Sequence, residues 1–393
     1  MNTITLITPW PPQPTGIADY AYDLAAEFQS SGLDVHIFTT ELNPQYLEGI
    51  TFHHIIDTNL TVIELECFDI ILMQLGNHPN FHGYMLHILH AIKDKCIIEL
   101  HDLMLHHLMQ GDTGLSNGGD HYYSWLGVNY GSLTSTAFRN FFESHGDILE
   151  FPLAVNFPCS DVLMKNSRAI IVHSEFASSR LKTSGCDNVF IINLCQNLNA
   201  DPNKNLSLKR EFRIGVFGGV QRNRKLNWII EAIYQSVLDK FNWRLDIVGD
   251  VDIDCERFKD LVVSLGMSQN VFFHGRLPLD EMNFLMSQCD IHIALRSPTM
   301  GETSAVVTRA LQLGIPSIVS NIGWYSELPD FVLKVDDINM PHQLAAYISS
   351  LAEDSTILNT LKENTVAYSR NILNLGNTVD DILNIAFSKI KPF

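Results

Sequence analysis

The stretch that most limits what this 393-residue chain can fold into is 296–330, RSPTMGETSAVVTRALQLGIPSIVSNIGWYSELPD. The preceding IHIALR reads as a short buried strand, and Pro298, Gly301, Thr303 and Ser304 supply turn and N-cap chemistry before the apolar positions Ala305, Val306, Val307, Ala310 and Leu313. Gly314 stands where a helix C-terminus wants a left-handed residue, Pro316 stops continuation, and SIVS resumes as a strand. One βαβ unit is therefore specified. In a parallel sheet its helix aims the N–H groups of Thr303, Ser304 and Ala305 at the crevice beyond the strand ends. That end suits an anion by roughly 0.3–1 kcal/mol, and Arg309 lies one to two turns along for further neutralisation. A capped core helix would carry the same pattern.

With 46% apolar residues the chain can build two ordinary domains. Its charge of −18 is unevenly placed: residues 1–200 hold 7 Lys+Arg against 21 Asp+Glu (−14), leaving 19 against 23 (−4) for the remainder. An acidic first half argues against nucleic acid and strong electrostatic membrane binding, and basic residues collect in the second half. Seven cysteines with no Cys-x-x-Cys pair read as reduced, cytoplasmic and structural. No run of 18 apolar residues exists, and MNTITLITPWPP reads as a first strand rather than a signal peptide.

Strands are expected at Thr3 to Trp10, Asp34 to Thr39, Phe68 to Leu75, KCIIELHD, Ala169 to Ser174 and Phe190 to Leu194. The opening PPQPTGIADY places Gly16 between a strand and a helix, where backbone can approach a ligand closely. His78 and His82 have a helical metal-ligand spacing but no carboxylate or cysteine neighbour in their stretch, so no metal is expected. Residues 111–147, Gly-rich then aromatic-rich, read as irregular, serving either an acceptor surface or core filling. Residues 197–210 have linker composition. The second domain restarts with FRIGVFGG, and Arg222, Arg224 and Lys225 crowd the start of the next helix, where a bound anion would offset the dipole.

Five segments in order resemble the retaining, family-four glycosyltransferases of the GT-B fold: the PPQPTGIADY opening, the His101-Asp102 strand end, the Gly218-Gly219 loop, the loop at Arg276 and the helix after GETS. In that family a Glu, seven residues and a second Glu precede a Gly-Ile-Pro turn. Aligned on Ala310-Leu311 and Gly314-Ile315-Pro316, Gly301 replaces the first Glu and Arg309 the second. Glu302, one residue on, supplies the displaced carboxylate. A bacterial subgroup is similar in reading Gly-Glu-Thr-Ser here, with Gly323, Trp324, Glu327, Leu328 and Pro329 matching its downstream residues.

The resemblance implies an α/β chain of two Rossmann-like domains facing across a cleft: 1–196 on the acceptor side, a linker 197–210, 211–370 on the nucleotide-sugar side, and 371–393 crossing back as a helix to the first domain. It implies metal-independent sugar transfer, with retention, from a nucleotide diphosphate sugar (UDP favoured over GDP) to a glycan, lipid-linked or protein acceptor, without other cofactor. His101 and Asp102 would approach the sugar and Glu302 would hold its hydroxyls. Gly16, Gly219, Arg224 and Lys225 would meet the donor phosphates with Thr303, Ser304, Ala305 and Arg309, Arg276 would lie by the base, and Asn77 and His82 would line the acceptor side. Homo- and hetero-oligomers are both compatible. The rival function is a non-catalytic partner or glycan-binding subunit, favoured by Gly301 and Arg309 at the two Glu positions.

Overall fold

The computed structural model describes residues 2–92, 94–112, 120–198, 211–250 and 255–388. The expected linker from 199 onward and the Gly-rich segment 113–119 lie outside them. By internal contacts the chain divides into two compact units: Met1–Gln196 with Met300–Thr303 and Leu375–Phe393, and Asn197–Thr299 with Ser304–Asn374.

Among the described residues the first unit holds a seven-stranded parallel sheet of β1 (Thr3–Ile7), β2 (Asp34–Thr39), β3 (Ile50–His54), β4 (Ile71–Leu75), β5 (Cys96–Leu100), β6 (Ala169–Val172) and β7 (Val189–Ile191), in the order β3-β2-β1-β4-β5-β6-β7. The second unit holds six: β8 (Phe212–Phe217), β9 (Trp243–Val248), β10 (Val271–Gly275), β11 (Ile291–Ala294), β12 (Ser317–Ser320) and β13 (Leu333–Val335), in the order β10-β9-β8-β11-β12-β13. Both are doubly wound. Chain order reverses beside the first strand of each sheet, between β1 and β4 and between β8 and β11, and such sheets bind ligands beyond the carboxyl ends at that point.

Central strands are buried on both faces and so read as unbroken apolar runs, ILMQL in β4 and CIIEL in β5. The exceptions are Gln74 and Glu99, fully buried polar side chains within those runs. Helices cover both faces, with Met85, Ile88 and Phe138 packed in the first core and Ile230, Leu344 and Ile348 in the second. The helix Leu375–Phe387 lies on the helix Gly16–Ser30, tied further by Arg168 Nη2 to the Ala386 carbonyl at 2.8 Å and Thr378 Oγ1 to the Asn193 carbonyl at 3.1 Å. No helix among the described residues is long and apolar enough to cross a membrane.

Three expectations are corrected. The first strand stops at Ile7, because Pro9, Pro11 and Pro12 cannot continue a ladder; Trp10 nevertheless stays buried, its Nε1 donating to the Gln45 carbonyl at 2.9 Å. The edge strand β3 and the helix Thr58–Leu65 were not anticipated, since ITFHH, polar at Thr51, His53 and His54, is not the unbroken apolar run of an inner strand. From 120 to 145 the chain is helical rather than irregular, in Asp120–Tyr130 and Ser132–His145, hinged at Gly131. Phe138, Phe141 and Phe142 follow helical spacing, and Tyr122, Phe138 and Phe151 fill core, so these aromatics are packing residues.

Candidate active site at the two switch points

In the first unit Thr15 caps the helix Gly16–Ser30, its hydroxyl accepting from Ile17 N at 3.4 Å. Gly16 opens that helix in free space: an added Cβ would meet nothing within 4 Å, so packing does not require glycine there. Gly76, at the end of β4, is crowded instead. A Cβ there would stand 2.5 Å from Ile17, 2.9 Å from His82 Nε2 and 3.3 Å from Asp102 Oδ2. Asn77 N donates to Asp102 at 2.9 Å, and Asn77 Oδ1 accepts from Leu108 N at 3.2 Å. His82 departs from the expected lining role: it is 1% exposed, because the i, i+3 stripe of its helix faces the core.

His101 follows β5 directly, its N–H donating to the Leu75 carbonyl at 2.9 Å. Its ring stands edge-on to Tyr20 at 5.4 Å and beside His173 at 5.1 Å. Burial holds its pKa well below the ordinary histidine value, helped by His173 and His82. A neutral imidazole can exchange hydrogen bonds with hydroxyls but adds no positive charge. Asp102 pairs through its backbone with Glu302 in an antiparallel bridge, and Met104 N donates to the Met300 carbonyl at 3.2 Å. The Met300–Thr303 tongue is thus zipped onto the segment that follows β5, with the Glu302 backbone beside that of Asp102. Gly301 makes this approach with φ +73°, and a Cβ there would lie 2.6 Å from Leu103 Cβ. Glu302 Oε2 accepts from Met300 N at 2.8 Å.

Burial also lowers His82 to about 3 and His106 to about 4. The unfolded chain, with histidines near 6.5, binds more protons than the folded one between those values and 6.5. Their stabilising effect is therefore complete above pH 6.5 and lost as pH falls toward 3–4, at about 1.4 kcal/mol per pH unit each. Urea midpoints of the first unit should drop between pH 7.5 and 5.0 by the equivalent of about 2 kcal/mol per histidine. Equal midpoints would contradict it.

In the second unit β8 is followed by Gly218, at φ +89°, whose added Cβ would lie 2.8 Å from Arg224 Nη1. Arg224 Nη1 donates to the Phe217 carbonyl at 2.9 Å, which holds the guanidinium at the strand end. The expected helix start is corrected: Arg222–Arg224 form one 3-10 turn, Lys225 is left-handed at φ +49°, and the helix begins at Leu226. The Lys225 ammonium rests 5.4 Å over the Trp228 ring. Gly219 is roomy: an added Cβ would meet only the Asp250 carbonyl oxygen, at 3.8 Å. Arg276 is exposed and 3.8 Å from the Asp250 carboxylate, an ion pair of small energy.

Ser304, not Thr303, caps the helix after GETS, which runs Ala305–Gln312; its hydroxyl accepts from Val307 N at 3.3 Å. The amides of Ala305 and Val306 are those the cap leaves to the crevice. Arg309 is buried in the last turn and donates to Asn283 Oδ1 at 3.3 Å, so it serves helix packing at the wrong end for an anion at the N-terminus. Sequence reading gave Arg296 no role. It is 5% exposed just after β11, its N–H donating to Ser320 Oγ at 2.7 Å and its Nη1 to the Leu295 carbonyl at 2.8 Å. Burial, helped by Arg224 and Arg296, lowers His292 to about 3, so both cations act on the β8/β11 switch point.

Residues 211–354 match the family model described as Glycosyl transferases group 1. Solved structures align over nearly the whole chain. HepE from Anabaena, in complex with UDP and glucose, is 14% identical, with 98% of this chain and 99% of that one covered at a TM-score of 0.69. The chain has the GT-B glycosyltransferase fold. Sucrose-phosphate synthase from Thermosynechococcus elongatus is similar at 14% identity, 98% of each chain and a TM-score of 0.66. A glycosyltransferase from Rickettsia africae matches at 14% identity, 98% of this chain and 97% of that one, with a TM-score of 0.66. No curated protein sequence matches the GT-B chain described here.

Proposed function

We propose that the chain transfers a sugar from a nucleotide diphosphate sugar, UDP-linked in preference to GDP-linked, to a glycan, lipid-linked or protein acceptor with retention of configuration. The observation that carries this is the chemistry at the two switch points: cations and helix amides on one sheet, neutral imidazole and carboxylates on the other. In the second unit Arg224, Lys225 and the amides of Ala305 and Val306 would neutralise and orient the diphosphate, with Gly219 admitting it and Arg276 near the base. In the first unit Glu302 would bind sugar hydroxyls, Asp102 would oppose the positive charge developing at the anomeric carbon, and His101 would orient the sugar. The bond from that carbon to the phosphate oxygen breaks while the bond to the acceptor oxygen forms on the same face. The acceptor's proton passes to the departing phosphate, so neither a protein base nor a metal is needed.

The HepE structures, whose complexes hold UDP, UDP-glucose, or UDP and glucose, support a uridine diphosphate donor. A non-catalytic glycan-binding role keeps one observation on its side, Gly301 and Arg309 at the two Glu positions. Calorimetry separates the readings. The chain should bind UDP in the presence of EDTA more tightly than GDP, and UDP-sugar should be slowly hydrolysed without acceptor. Replacing both Arg224 and Lys225 by Ala should weaken UDP at least about tenfold, or roughly 1.4 kcal/mol. An unaltered dissociation constant would reject those residues, and binding without any turnover would favour the non-catalytic reading.

A further inference from the structure

β5 and β6 run side by side in register, Glu99 opposite Ile171, so two residues further on His101 comes beside His173, with Glu99 on the same face as His101. Tyr20 reaches this face from the first helix. Its hydroxyl donates to Glu99 Oε1 at 2.7 Å; Gln74 Nε2 donates to Glu99 Oε2 at 2.9 Å, and Thr8 Oγ1 donates to Gln74 Oε1 at 2.7 Å. His173 Nδ1 lies 2.9 Å from the Ile192 carbonyl and must donate to it, which turns Nε2 toward Glu99, 3.7 Å away, and toward His101. Four strand ends and a helix thus contribute one polar layer inside an otherwise apolar core, and it ends against the His101 ring.

Resting on the function proposed above, we propose that Tyr20, Glu99 and His173 are positioning residues for His101: their fixed network is the floor that sets its ring orientation and which nitrogen it presents to the sugar. Aliphatic side chains would fill this volume without leaving the buried Nε2 atoms of His101 and His173 lacking a hydrogen-bond partner. Hydrogen bonds from Tyr20 and Gln74 fix the Glu99 carboxylate, and the bond to Ile192 fixes the His173 ring, so the surface that His101 packs against has one arrangement where apolar packing tolerates several. The side chains of Glu99, His101 and His173 also offer ligand atoms within 4.8 Å of one another. A cation held by these three groups is the competing reading, and metal analysis of the purified protein separates the two.

The test uses two variants that keep ring volume, Tyr20→Phe and His173→Phe, with Glu99→Gln as the conservative control. Long-range 1H–15N spectra of the imidazoles should show one tautomer for His101 in the native chain and a mixture in both Phe variants. The kcat should fall about tenfold or more with UDP affinity and donor KM within twofold, and Glu99→Gln, which keeps an acceptor for Tyr20, should recover most of it. The spectra decide the inference even if no turnover is found, so its failure is distinct from that of the transferase reading. Unchanged His101 resonances in folded Tyr20→Phe and His173→Phe would overturn it. So would stoichiometric zinc in the purified protein that His173→Phe abolishes.

Discussion

Glu302→Ala is expected to lower kcat for sugar transfer about 10²- to 10³-fold while UDP affinity stays within twofold. The size follows from placing one preorganised group against charge and hydroxyls in a low-dielectric site, where removing a single partner typically costs about 3–4 kcal/mol of barrier. The split follows from position. Glu302 sits on the tongue fastened to Asp102 in the first unit, whereas Arg224, Lys225 and the helix amides belong to the second. Since Glu302 Oε2 also accepts from Met300 N, loss of the carboxylate could act by loosening the tongue. Glu302→Gln keeps that acceptor and removes only the charge, so a comparably slow Gln variant assigns the effect to charge and a near-normal one assigns it to the loop. Stopped-time assays of UDP release with each variant, alongside calorimetry with UDP, make the distinction. A near-normal rate in Glu302→Ala removes the residue from the site.

What could be seen in the sequence was whatever local patterning specifies. The strand-loop-helix-Gly-Ile-Pro-strand run around Ser304 and Gly314 and the Gly218-Gly219 restart fall where doubly wound sheets put them, because turn, cap and period are set by neighbours within a few residues. The polar floor under His101 could not be seen. Tyr20 and Glu99 are 79 residues apart, and Glu99 inside CIIEL looks like an interruption of a strand until the partner helix is known. The tongue was hidden for a similar reason. Sequence adjacency assigns Glu302 to the helix that follows it, but its backbone bridge joins it to Asp102, 200 residues earlier. Arg309 shows the reverse: a cation one to two turns along a helix reads as available to an anion, yet it is buried and donates to Asn283.

Gly249→Ala should lower the stability of the second unit by roughly 3–5 kcal/mol. Gly249 has φ +139°, and a Cβ there would stand 2.3 Å from the Gly218 carbonyl oxygen, 2.5 Å from its carbon and 2.9 Å from Gly219 N. These neighbours are backbone, so no rotamer change relieves the clash; either the loop after β8 or the loop after β9 must move. Moving either one breaks contacts that hold the pair, among them Val220 N to the Asp250 carbonyl at 2.7 Å and Gly249 N to the Gly275 carbonyl at 2.8 Å. The displaced segment is the one presenting Arg224 and Gly219, so UDP affinity should fall together with the unfolding midpoint. Gly219→Ala provides the contrast: its added methyl would make only ordinary contact at 3.8 Å, so the melting temperature should hold within a few degrees. If that variant nevertheless loses UDP binding, the added methyl occupies space that the diphosphate needs. Equal and undiminished affinity in both variants would place the nucleotide elsewhere than beyond β8.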